Sequence, residues 1–219
     1  AGPGGARLIL RDRRCELAIL ETARGGLLRR GLAVGHADVA VITNIAADHL
    51  GEYGIHTVDD LTAVKWSVTR ALDERGVLVL NAEDPQLVAR APAAKACVTL
   101  FSLSPRAPAF ASHVAGGGCG FTLYRGSLVR VRGDRREAFL AARRMPLSFD
   151  GSARHNIANA LAAAAAADAL GISLETIAKG LCRLGREDNP GRANVYFVDG
   201  ATVLVDFAHN PAGLAALMP

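Results

Sequence analysis

Short continuous apolar runs, spaced by stretches of helix length, constrain this 219-residue chain more than any other feature. Cys15 to Glu21 (CELAILE), Val39 to Thr43 (VAVIT), Val77 to Asn81 (VLVLN) and Val98 to Phe101 are each of strand length. None of them alternates apolar with polar, so each predicts a strand covered on both faces. A helical stretch runs from about Thr57 to Leu72. Asp84-Pro85 opens a short helix, with the carboxylate as N-cap and proline at the first helical position. Strands interleaved with helices predict an α/β fold built on a mostly parallel sheet with flanking helices.

The pattern changes after Ser102. Gly/Pro clusters and short alternating stretches, such as Phe121 to Tyr124 and Ser127 to Arg132, predict a small antiparallel β segment up to about Asp150. Two helices follow, Arg154 to Leu170 and Ser173 to Leu184. Alanine favours the first strongly, and Gly171 is placed to stop it. Gly185 to Gly191 is polar and rich in turn formers, which predicts a domain junction. Residues 1–186 then form one domain and 187–219 open a second, beginning with a hairpin at Val195 to Val198 and Thr202 to Asp206.

Composition narrows the function classes. Half of the residues are hydrophobic and 21% are charged, so the chain can bury a core and is not disordered. The longest apolar run, Ala160 to Ala167, is too short to cross a bilayer, and no signal peptide opens the chain. No membrane is expected, and the location expected is the cytoplasm. Cys15, Cys97, Cys119 and Cys182 show no C-x-x-C spacing, which predicts free thiols in a reducing compartment. Net charge is +4, nearly all of its positive part from arginine; lysine occurs only at Lys65, Lys95 and Lys179. Aromatics are 5% and no recognition motif is present, so no nucleic-acid partner is expected. The first residues, Ala1-Gly2-Pro3-Gly4-Gly5, lack an initiator methionine, and a piece of a longer protein is expected.

Six sites can carry chemistry. Glu21 ends a predicted parallel strand, where open α/β sheets bind ligands, and is either a Mg²⁺ ligand or a solvated acid. Thr43, Asn44, Asp48 and His49 crowd a loop after the next strand; His49 is a metal ligand or polar surface. Lys65 falls on or beside the apolar stripe of Leu61, Val64 and Val68. It either snorkels to solvent or is a neutral amine able to take up CO₂ as a carbamate. His155, Asn156 and Asn159 share one helix face, which suits purine or phosphate contacts as well as capping. Arg192, in the junction, is a phosphate clamp or a solvated arginine. Asp206 and His209 sit at the end of the last strand. No G-x-x-x-x-G-K-[ST] loop exists in the chain.

The order of these pieces resembles the Mur ligase superfamily of ATP-dependent amide-bond ligases. They run E-x-A-R-G-G, T-N-x-x-x-D-H-L-G, a helical lysine, L-N-x-x-D-P, G-x-x-x-H-N-x-x-N-A-L-A-A, N-P-G-R-x-N and D-x-A-H-N-P, from Glu21 to Pro211. Glu21 to Arg29 and Asn189-Pro190-Gly191-Arg192 are most similar to the cyanophycin synthetase branch. The resemblance implies a Mur-ligase central domain followed by a Rossmann-like C-terminal domain. It implies ATP and Mg²⁺, and an acyl phosphate that an amine attacks. It implies metal roles for Glu21, His49 and Lys65, the last as a carbamate. It also implies that Asn156 and Asn159 contact adenine with His155 adjacent, that Thr43 and Asn44 lie at the nucleotide, and that Arg192 reaches it from the junction. Asp206 and His209 would serve the incoming amine.

Within that branch the expected substrates are an aspartate polymer and arginine, joined at aspartate side chains, by a homo-oligomer. Other Mur-like ligases, of muramyl-peptide or folylpolyglutamate type, and an inactive scaffold module are the alternatives. The phosphate loop is expected upstream of Ala1, so the 219 residues alone are expected to be inactive.

Overall fold

The computed structural model describes residues 3–47, 50–185, 187–208 and 211–217. The chain divides into two compact units, Ala1–Val98 and Thr99–Pro219. The first unit holds helices α1 (Pro3–Arg11) and α2 (Arg24–Arg30), strand β1 (Val39–Ile42), helix α3 (Val58–Trp66), strand β2 (Val77–Asn81) and helix α4 (Pro85–Arg90). Strand β3 (Cys97–Ser102) leads into the second unit, with α5 (Pro108–Ala115), β4 (Cys119–Tyr124), β5 (Ser127–Arg132) and β6 (Arg135–Ala141). Then come α6 (Arg154–Ala169), α7 (Leu174–Arg183), β7 (Asn194–Val198), β8 (Ala201–Val205) and α8 (Pro211–Leu217).

Strands β1 to β6 follow one another in sequence order in a six-stranded sheet, and β7 and β8 form a separate ribbon. β1 and β2 pair in parallel, Val39 opposite Val77 through Ile42 opposite Leu80. β3 and β4 are also parallel, and β4, β5 and β6 form an antiparallel meander. The α/β class and the small antiparallel addition match the expectation from the apolar runs.

In the first unit Leu78, Val79 and Leu80 of β2 are fully buried, with Leu61 of α3 and Leu87 of α4. A central strand with no exposed face reads as an unbroken apolar run, which is why it was legible. In the second unit Phe110, Phe121, Leu128, Ile157 and Leu161 form the core. A Cβ on Gly120 would lie 2.5 Å from the Phe110 ring, so this glycine sets how closely α5 approaches β4. Ala164 and Ala165 of α6 are buried as well, and their small side chains let that helix pack without a ridge of bulky residues.

One expectation needs correction. Cys15 to Glu21 is not a strand: its backbone joins no ladder, and Leu17 and Ile19 are 51% and 89% exposed. An apolar run becomes a buried strand only when another strand pairs with it. None of the described strands does so here. The helical stretch expected from about Thr57 to Leu72 is present, as α-helix to Trp66 and a 3-10 turn over Ser67–Ala71. The Gly-rich stretch after Glu21 forms the short helix α2. Gly171 has φ +78° and stops α6 as expected. The four cysteines are free thiols. Among the described residues no helix is long and apolar enough to cross a membrane.

Candidate functional site

Parallel pairing of β1 and β2 brings their carboxyl ends to the same sheet edge, with Ile42 opposite Leu80. Thr43 and Asn44 leave β1 there, and Asn81 ends β2. Asn81 Nδ2 donates to Asn44 Oδ1 at 3.0 Å. Lys65 Nζ, reaching from α3, donates to the Asn44 carbonyl at 3.0 Å. The Ile45 amide donates to Asp84 Oδ2 at 2.6 Å. The other oxygen of Asp84 caps α4, accepting from the amides of Gln86 and Leu87 at 3.0 and 3.2 Å. Thus one loop, one helical lysine and the start of another helix meet at the position where open α/β sheets bind ligands. Lys65 is half-buried, and its amine is anchored on the loop.

Glu21 is exposed, two residues before Ala23, the N-cap of α2. Among the described residues no hydrogen bond or ion pair engages its carboxylate. The following arginine is held: Arg24 pairs with Glu52 at 2.5 Å and is mostly buried, and Arg29 lies 5.7 Å from the Tyr53 ring centre. α2 is therefore tied to the loop at 52–53. Asp48 and His49, expected in the metal loop, lie outside the described residues. Among the described residues no group of three or more His, Cys, Asp or Glu side chains forms a metal cluster.

The second unit carries the other expected residues. His155 and Asn156 are half-buried in the first turn of α6, and Asn159 is exposed one turn later. Asn156 Nδ2 donates to the Leu147 carbonyl at 2.8 Å, so one amide proton ties the helix start to the preceding segment. Arg192 is exposed, its guanidinium 5.2 Å from the Phe207 ring centre. Asp206 spends both oxygens on backbone amides, Ala193 at 2.8 Å and Ala208 at 2.7 Å. It clasps the base of the β7–β8 ribbon. His209 lies outside the described residues.

Sequence reasoning missed the grip of Asn81 and Asp84 on residues 44 and 45. Asp84 was legible only as a cap, because capping is local while the bond to Ile45 spans 39 positions. The Arg24–Glu52 pair was missed for the same reason.

Residues 6–167 match the family Mur ligase middle domain. The chain belongs to that family. As a Mur ligase middle domain it is 40% identical over 218 residues to a cyanophycin synthetase of Synechocystis, covering 99% of this chain and 25% of the relative. A UDP-N-acetylmuramoyl-L-alanyl-D-glutamate–2,6-diaminopimelate ligase of Gloeobacter violaceus is 33% identical over 208 residues, covering 93% and 38%. Among solved structures, MurF from Acinetobacter baumannii superposes with a TM-score of 0.58 at 28% identity, over 82% of this chain and 36% of MurF. The chain spans about a quarter of the length of the cyanophycin synthetases it matches.

Proposed function

We propose that this Mur ligase middle domain belongs to an ATP-dependent amide-bond ligase of the cyanophycin synthetase kind. The protein would join arginine to the side-chain carboxylates of an aspartate polymer, with ATP going to ADP and phosphate. The observation that carries this reading is the identity pattern. Cyanophycin synthetases match at 38–40% over 99% of the chain, whereas muramyl ligases match at 31–33% over less of it. In this reading residues 1–186 are central domain and 187–219 begin the C-terminal one. The protein acts in the cytoplasm as a homo-oligomer.

The residues present fit Mg²⁺ and a nucleotide. Glu21 offers an exposed carboxylate with no competing cation among the described residues, a donor suited to a hard ion. Glu21, His49 and a carbamate on Lys65 would hold the metal, and bound Mg²⁺ would offset phosphate and carboxylate charge. Lys65 suits carbamate formation because its side chain is half-buried and its nitrogen is held on the Asn44 carbonyl. Asn159 keeps an exposed amide for adenine, and Asn156 holds the helix start in place beside His155. Thr43 and Asn44 flank the nucleotide, and Arg192, poised on Phe207, would meet phosphate. Asp206 would orient the segment leading to His209, on the side of the incoming amine.

The test uses the full-length protein with ATP, Mg²⁺, a short aspartate–arginine primer, aspartate and arginine, followed by product mass. Mass increments of one arginine residue per turnover are expected. Growth with a different amine, and none with arginine, would move the assignment to another Mur-like ligase. No product with any amine would support an inactive module.

A further inference from the structure

The L-N-x-x-D-P segment is absorbed by none of the roles above, yet it touches the loop after β1 through two hydrogen bonds. Asp84 is 7% exposed and shares its carboxylate between two jobs. Oδ1 caps α4, and Oδ2 holds the Ile45 amide across 39 residues. Asn81 holds the side chain of the preceding residue, Asn44, while its own Oδ1 accepts the Glu83 amide at 2.9 Å. Asn44 in turn presents its carbonyl to Lys65. Two side chains three residues apart thus fix two consecutive loop residues, one through its side chain and one through its amide.

Capping alone does not require this arrangement. Asparagine, serine or threonine would cap α4 nearly as well. Only a carboxylate offers a second acceptor to Ile45 while the first stays on the helix. Likewise, Asn81 at the end of β2 needs no side chain to complete the parallel ladder, which ends with Ile42 opposite Leu80.

We propose that Asn81 and Asp84 are positioning residues: they fix Asn44 and Ile45, and through Asn44 the Lys65 amine, for the metal-dependent step. The role at the metal rests on the ligase reading; the grip on residues 44 and 45 does not. Groups that orient metal-binding residues typically change metal affinity 10–100-fold when removed.

Asp84→Asn separates the two jobs. Its remaining oxygen keeps the helix cap, and its amide puts a donor against the Ile45 donor. Two readouts are taken on the full-length protein. In metal-free protein, hydrogen exchange at the Ile45 amide should speed up at least about tenfold, while the amides of Val88 to Arg90 stay protected. In turnover assays, half-saturating Mg²⁺ should rise about tenfold with KM for arginine unchanged. Asn81→Ala should give the same Mg²⁺ shift without touching the cap. Unchanged Ile45 exchange in Asp84→Asn would overturn the grip. An active wild type whose two variants keep the wild-type Mg²⁺ dependence would overturn the role at the metal while leaving the ligase reading intact. A wild type without turnover would instead remove the ligase reading and the metal role with it, and exchange would still decide the grip.

Discussion

Thr57 Oγ1 accepts the Asp60 amide at 3.1 Å, while the Asp60 carboxylate accepts the amides of Thr57 and His56 at 2.9 and 3.1 Å. This reciprocal box starts α3 and therefore sets where Lys65 falls. Thr57→Ala should cost about 1 kcal/mol of stability, measured by urea unfolding. The hydrogen bonds from Thr57, and then His56, hold the Asp60 carboxyl below its ordinary value of 3.8. Its folded pKa is the lower one, so its contribution is present above 3.8 and is lost as pH falls through the folded value. Acid titration of Asp60→Asn should therefore show a shallower loss of stability in that window than wild type. At this scale the sequence revealed which residue types stood at strand ends and helix starts. It did not reveal their partners: Asn156 reads as a ligand amide, and part of its donor capacity goes to Leu147.

At the scale of elements, legibility followed how local each signal was. β2 was legible because burial on both faces leaves an unbroken apolar run. The β7–β8 ribbon was legible from its two apolar runs, and it turns at Asp199-Gly200, whose φ values of +48° and +81° suit a two-residue hairpin turn. Strand β6 (RREAFLA) was hidden by its charge, since at the sheet edge only Leu140 is buried. Arginines also do structural work here. Asp168 of α6 pairs with Arg130 and with Arg132 of β5, and Arg130 pairs with Glu137 of β6 at 2.7 Å. Burial pulls the Arg130 pKa down, but Glu137 and Asp168 outweigh it and the net direction is upward. Asp168→Ala would leave two guanidiniums side by side without that carboxylate. Because Arg132 is half exposed, the expected loss is about 2 kcal/mol, below that of a fully buried pair. Chemical denaturation measures it, and Lys179→Ala, which breaks an exposed pair on α7, should change stability by less than about 0.5 kcal/mol.

Over the whole molecule, positive charge is concentrated rather than spread. Residues 125–144 hold seven arginines against Asp134 and Glu137, while the rest of the chain holds 18 basic and 19 acidic side chains. Net charge alone could not show that several of those arginines are engaged, two with Asp168 and two, Arg125 and Arg136, against the Tyr124 ring. Apolar surface is concentrated too. Tyr196 and Phe197 on β7 are 52% and 81% exposed, with Val203, Leu204 and Val205 exposed on β8. An open ribbon of this kind favours association. The 219-residue chain should scatter light increasingly with concentration, and Phe197→Lys should reduce that scatter. The function proposed above makes the loop after β1 and Lys65 of α3 the metal-dependent centre of an arginine-adding ligase. Arginine-dependent phosphate release by the full-length protein, wild type against Lys65→Ala, tests it most directly. Release that requires arginine and falls on the order of 100-fold in the variant is the predicted result. Equal release from both proteins would contradict it.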